Sequence, residues 1–236
     1  MTLAEASAHF LDCAGQNKLQ TGSLPQAEYA IALLRGYFSP SEDLAEITSA
    51  NLREFLGLKY LDAACASRPS DQPFELRDLL NALTEFFTWA SATEPQNGAL
   101  AGCVTVLGEL GRDLPRALEI TRALSSWLKE RGGAFSFPEY LTSFEEGGRN
   151  QYDIDAPDEV GAIDGYFRIV RVEGSRVEAE DAVSGKQVWP IAFPAHVAAL
   201  LEEEYIINLE VVRTPDAWQI TGCGIAYPPG IPTGPY

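Results

Sequence analysis

Four carboxylates crowd together at Asp153, Asp155, Asp158 and Glu159. A hard cation such as Ca²⁺ takes several oxygens from a flexible loop, so such a run is a natural place to look for metal. The spacing D-x-D-x-x-D-E lacks the turn glycine and distant glutamate of an EF-hand loop, and it reads as a solvated acidic hinge. His9 and Cys13 lie one helical turn apart, close enough in principle for a thiol to meet a base. A nucleophile of that kind also needs an orienting third group and an oxyanion hole. Both residues fall on an amphipathic N-terminal helix and read as a boundary histidine and a core cysteine. His196 stands alone beside Pro194. Ser175 and Ser184 adjoin glycines in turns, without the G-x-S-x-G context of a nucleophile elbow. No phosphate loop and no G-x-G-x-x-G after a strand is present. Gly222-Cys223-Gly224 lies inside a strand, where glycines mark a bulge or bend. No residue is assigned a catalytic, cofactor-binding or metal-binding role, and no cofactor is expected.

The most basic stretch is Arg112, Arg116, Arg122, Lys129 and Arg131, with Trp127 nearby. Such a row could touch nucleic acid or an acidic surface. Glu109, Asp113, Glu119 and Glu130 interleave with it, which favours i,i+4 pairing on a solvated helix face. Trp89, Trp127, Trp189 and Trp218 fall mostly in the apolar phase and read as core. Trp189 or Trp218 would be the exception if the sheet has an open face.

Charge narrows the partners. The 236 residues carry a net charge of −17, and residues 1–96 hold 6 basic against 13 acidic side chains. Affinity for duplex DNA comes largely from Lys and Arg on phosphates, so nucleic acid is a poor first expectation. The same charge suits a protein partner, a basic one included. The cysteines at 13, 65, 103 and 223 are widely spaced, with no CxxC pair, so zinc ribbons and thioredoxin-type motifs are absent. Lone thiols, an N-terminus without a basic signal region and the lack of an apolar run of ~20 residues fit a cytoplasmic protein without a membrane span.

The elements divide into two kinds. Over residues 1–148 the apolar period is 3.6 and predicts an all-α bundle. Thr2 caps a first helix to about Cys13, with Glu5 in the capping-box position, and Ser23 opens a second helix with Pro25 in its first turn. Thr48 or Ser49 starts a third, running through Tyr60, and Asp71 is a plausible cap for the fourth. In that fourth helix Leu76, Leu79, Leu80, Leu83, Phe86, Phe87 and Ala90 form one stripe. A fifth helix is expected over 99–110, a sixth from Leu114 to about Arg131, and a last short one after Ser136. Residues 149–160 read as an acidic linker. The period then switches to 2, and strands are expected at 163–172, 176–183, 187–193, 205–213 and 218–226, with a short helix at Pro194. Closing such strands removes exposed edges, so 161–236 is expected to be a small five-stranded antiparallel β-barrel, SH3-like or OB-like, with a Pro-rich tail. The fold class expected is α+β.

Two resemblances accompany this reading. The phrases TLAEASAHFL, LAEITSANLREFL and ELRDLLNALTEFFTWA, with the Tyr29 helix between the first two, make residues 1–95 resemble the helical core-binding domain of tyrosine recombinases. That resemblance implies a four-helix bundle and, in the family, DNA binding through basic helices. The family's catalytic domain needs His-x-x-Arg. His196 is followed by Val197, Ala198 and Ala199, so recombinase activity is not expected. Residues 161–228, with D-x-x-S-G between strands and W-x-I-x-G later, are similar to small β-barrel regions of uncharacterised bacterial proteins. The resemblance implies the barrel and a bacterial origin. The expected function is a non-enzymatic protein-interaction or adaptor module. The alternatives are a nucleic-acid-associated accessory protein and a hydrolase built on paired carboxylates.

Overall fold

The structure is a computed structural model that describes residues 1–16, 23–66, 74–131 and 161–231. The chain divides into two compact units, one of Met1–Tyr60 with Arg68–Pro115 and one of Leu61–Ser67 with Arg116–Tyr236. The boundary between these units along α6 falls at Pro115, inside a helix, whereas the sequence reading sets 1–148 apart from 161–236. The short helix after Ser136 and the linker 149–160 lie outside the described residues.

In the first unit, α1 (Leu3–Gly15) starts at a complete capping box between Thr2 and Glu5. It is followed by α2 (Leu24–Tyr37), a 3₁₀ turn at Leu44–Glu46, α3 (Ser49–Glu54) and a π-helical stretch at Phe55–Tyr60. Thr48 caps α3 with Asn51 in the reciprocal position. The main packing partner is α5 (Leu76–Thr93), which starts after Glu75 without a side-chain capping bond; the expected cap, Asp71, lies outside the described residues, four residues before Glu75. Its expected stripe is the buried face: Leu79, Leu83, Phe86, Phe87 and Ala90 are enclosed against α1 and α2. Phe10 of α1 meets Phe86 edge-on at 5.3 Å and Trp89 at 5.8 Å, the geometry that adds to aromatic burial.

The expected fifth and sixth helices are one helix, α6 (Gly98–Glu130), 33 residues long with Pro115 inside it. A proline removes one backbone hydrogen bond and would ordinarily end a helix. Tertiary burial overrides it here. Leu100, Cys103, Leu107, Leu110, Leu114, Ala117, Thr121, Leu124 and Leu128 recur at alternating steps of three and four, and all are buried. The stripe serves the first unit before Pro115 and the second unit after it.

The second unit joins α4 (Leu61–Ala66) and the C-terminal half of α6 to a five-stranded sheet. The strands are β1 (Ala162–Glu173), β2 (Arg176–Asp181), β3 (Gln187–Ala192), β4 (Ile206–Arg213) and β5 (Trp218–Tyr227), with a single turn of helix, α7 (Ala195–Ala198), after β3. Their order is β1-β2-β3-β5-β4, and β1 pairs with β4, so the sheet closes as a barrel. The expected all-antiparallel arrangement is corrected: β3 and β5 run parallel, through Ile191↔Trp218 and Ala192↔Gln219. The reason is parity. A closed ring with an odd number of strands cannot alternate direction at every step, so five strands require at least one parallel neighbour pair.

Alternation along the strands fills the interior. Phe167 and Ile169 on β1, Val177 and Ala179 on β2, and Ile207, Leu209 and Val211 on β4 are buried. Register shifts interrupt the ladders of β1, β2 and β5 and supply the bends that closure needs. Pro190, which cannot donate to a ladder, stands at one of them, where Val188 and Ile191 flank two residues of β3 opposite one of β2.

Candidate interaction groove

The residues that position this site are on α6 and β5. Beyond Gln219, β5 has left β3 behind, and an unaccompanied strand edge must be covered. The helix supplies part of the cover. Thr121 Oγ1 accepts a hydrogen bond from the Ala226 backbone N–H at 2.9 Å and donates one to the Ala117 carbonyl at 2.9 Å. One turn further along, Ser125 Oγ lies 3.8 Å from Cys223 Sγ. From α4, Asp62 accepts a hydrogen bond from the Tyr227 hydroxyl at 3.2 Å. Burial, with the Asp62 carboxylate and Tyr166 nearby, holds the Tyr227 phenol well above its usual range. Burial also pushes the Cys65 thiol up to about 12. Both groups therefore stay protonated near neutral pH, which suits packing and unsuits a nucleophile.

Between the end of β3 and the last turn of α6, the described residues leave a groove of about 550 Å³. The helix wall is Trp127, Leu128 and Arg131. The opposite wall is Ala192, Phe193 and Pro194, where the chain turns away from the sheet. Gln219, Ile220 and Thr221 form the β5 side, with Thr221 exposed and Ile220 only 5% exposed. Among the described residues the lining carries no carboxylate. Arg131 lies over the Trp127 ring at 4.5 Å, and Arg213 lies over the ring of Trp218, beside Gln219, at 5.7 Å.

The residues singled out in the sequence are placed separately. His9 is exposed on α1 and Cys13 is half-buried one turn on; His196 is exposed on α7. Ser175 is an exposed turn residue, and the Ser184 N–H and hydroxyl both bond to Asp181. Gly222 and Gly224 do lie beside register shifts on β5, and a Cβ at either would press against Glu210 or Asn208 of β4. Asp153, Asp155, Asp158 and Glu159 lie outside the described residues. Among the described residues no cluster of three or more His, Cys, Asp or Glu side chains is placed to hold a metal ion, and no helix is long and apolar enough to cross a membrane. Asp164 stands opposite Glu210 in the register of β1 and β4, and desolvation raises the Asp164 carboxyl above its usual range.

The basic stretch behaves differently from its sequence reading. The pairing is not i,i+4 along α6. Arg112 pairs with its neighbour Asp113, and Arg116 reaches Glu202 beyond α7. Glu109 is taken by Arg53 of α3. Trp127, expected in the core, is half-buried on the groove wall, and Trp189 is 39% exposed on β3 under Arg171. The groove itself was missed. Its one visible signal was the i,i+4 spacing of Trp127 and Arg131, which puts a ring and a guanidinium on one helix face. No family model, no curated protein and no solved structure matches the chain.

Proposed function

We propose that this chain is a non-enzymatic interaction module of a bacterial cytoplasm, and that it engages a partner protein through the groove between α6 and β5. The observation that carries the reading is the groove itself. It lies where a strand edge loses its neighbour, it has apolar walls in Leu128, Phe193, Pro194 and Ile220, and it is roomy enough for side chains of an extended segment. Strand edges and apolar grooves are the standard footholds for extended peptides. Of the two barrel types expected, OB-like is the better description: the order β1-β2-β3-β5-β4, with a helical turn between β3 and β4, is the arrangement of that fold. The fold name carries no function by itself.

The nucleic-acid reading is weaker. Arg168 pairs with Glu180, and Arg171 with Glu173 and Glu178, so the outer face of β1 and β2 is a lattice of mixed charge and not a basic stripe. The test is affinity capture of the tagged chain from its own cells, with and without nuclease, beside a Thr221→Trp variant that fills the groove. A protein retained through nuclease and lost from the variant supports the reading. Partners that vanish with nuclease, or that ignore the substitution, overturn it.

A further inference from the structure

We propose that the Asn97–Gly98 junction is a site of spontaneous covalent modification, at which the asparagine side-chain amide is exchanged for an acid through a cyclic imide. The argument begins in the sequence. Of the asparagines at 17, 51, 81, 97, 150 and 208, Asn97 alone precedes a glycine. A Cβ on the following residue crowds the approach of that residue's backbone nitrogen to the asparagine side chain, and glycine has none. Nothing lies within 4 Å of where a Cβ on Gly98 would stand, so the surroundings leave the junction open as well.

The fold prepares both reacting atoms. The Asn97 N–H donates to the Glu94 carbonyl at 3.0 Å, in the turn after α5, and Gly98 opens α6. The Gly98 N–H is the first donor of the helix and has no carbonyl partner within it. The positive end of the helix dipole favours the negative charge left when that nitrogen gives up its proton. Asn97 Oδ1 accepts a hydrogen bond from the Ala99 N–H at 3.2 Å, which polarises Cγ and stabilises the oxyanion formed on attack. Asn97 Nδ2, the leaving group, is buried and has no hydrogen-bond partner among the described residues. A buried donor without an acceptor is costly, and its departure removes that cost. An open recess of about 620 Å³, lined by Glu94, Asn97 and Gly98 among others, gives water access.

The step balances with water as the co-reactant, and nothing is oxidised or reduced. The Gly98 nitrogen loses its proton to solvent and bonds to Asn97 Cγ. The Cγ–Nδ2 bond breaks, and Nδ2 takes up a proton and leaves as ammonia. Water then opens the imide at either carbonyl, giving an aspartyl or an isoaspartyl residue. The aspartyl form keeps an acceptor for the Ala99 N–H. The isoaspartyl form puts an extra methylene into the backbone and takes that acceptor out of register, so the first turn of α6 loosens. Either form adds a carboxylate to a recess that already holds Asp43 and Glu94.

The test is to age the folded full chain at mildly alkaline pH in water enriched in heavy oxygen, and to sequence the tryptic peptide Asp78–Arg112 by mass spectrometry. Acid is expected at position 97 in both aspartyl and isoaspartyl forms, carrying heavy oxygen, ahead of any change at Asn81 in the same peptide. Gly98→Ala is expected to slow the conversion by about tenfold or more, a barrier rise of about 1.4 kcal/mol. Asn97→Ser keeps a capping oxygen and is expected to show no conversion there, and unfolding midpoints confirm that both variants fold. Faster hydrogen exchange at the Ala99 amide is expected in the isoaspartyl fraction. An amide that stays intact at position 97 while the free peptide Glu94–Leu100 converts would overturn the proposal. Aspartate formed without its isomer, equal rates at Asn81 and Asn97, or an unchanged rate in Gly98→Ala would overturn it too.

Discussion

Replacing Thr121 by valine keeps the shape and β-branching of the side chain and removes one oxygen. That oxygen is 6% exposed at the residue level and is the acceptor for the Ala226 N–H, on the edge of β5 that β3 does not reach. The hydroxyl's own donor bond goes to the Ala117 carbonyl within α6, which keeps its other lone pair, so little is lost there. The cost is the desolvated Ala226 N–H left without a partner, about 1–3 kcal/mol. Taking about 2 kcal/mol and an m-value of about 2 kcal/mol/M, the urea midpoint falls by about 1 M. Thr121→Ser retains the oxygen and loses one buried methyl, about 0.8 kcal/mol. The order of stability is therefore wild type, serine, valine. The assay is urea unfolding followed by tryptophan emission, since Trp127, Trp189 and Trp218 all report on the second unit. Hydrogen exchange at the Ala226 amide is the local readout, with protection lost in the valine variant and kept in the serine one. A valine variant as stable as wild type, or more stable than the serine variant, would refute the placement of the C-terminal half of α6 on the β5 edge.

Four further outcomes are expected. Gly111 lies inside α6 with nothing within 4 Å of where a Cβ would be, so Gly111→Ala should stabilise by about 0.5–1 kcal/mol, read as a higher midpoint. Gly224→Ala should do the opposite, because its Cβ would sit 3.1 Å from Asn208 Cβ; an unchanged midpoint would show that β4 and β5 do not approach as closely as described. Asp164→Asn removes a carboxylate that desolvation disfavours, opposite Glu210 in the β1–β4 register, and should raise the unfolding midpoint slightly at neutral pH, which calorimetry can read. The thiols give an alkaline signature. Burial raises Cys65 to about 12 and Cys103 to about 11 from an ordinary value of 9.0, so their contribution is complete below about pH 9. Above it the unfolded chain sheds protons that the folded chain keeps. Stability then falls by at most about 1.4 kcal/mol per pH unit per thiol, up to the folded values. Urea titrations at about pH 8 and about pH 10 should show the fall, and Cys65→Ala should shrink it; a flat response would mean the thiols are not buried.

How much of this could be read from the residues depends on the distance over which each feature is encoded. The capping box at Thr2, the helix start at Thr48, the stripe of α5 and the five strands with their turns are local, and the structure places them where period and turn chemistry do. The break expected between 110 and Leu114 is absent because the burial of Leu114, Ala117 and Leu118 holds one helix across Pro115, and that burial is tertiary and not visible locally. The start of α5 lies after Glu75 and not after Asp71 for a related reason: the apolar stripe begins at Leu76 and no side chain caps the helix, so no local capping signal fixes its first residue. The parallel β3–β5 pair needed only the parity of a five-membered ring, a constraint that a strand-by-strand reading does not apply. The groove was illegible because its walls come from α6, the exit of β3 and the middle of β5, residues far apart in the chain. Trp127 and Arg131 were visible as a pair but were sorted separately, one into the core and one onto a solvated face.

The central claim is that the α6–β5 groove is where this chain meets a protein. A photo-activatable crosslinker at position 221, in living cells, tests it most directly, with position 28 on the exposed side of α2 as the control. The account predicts that position 221 captures one protein species and that position 28 does not. Capture of nucleic acid at 221, or the same proteins at both positions, would contradict it.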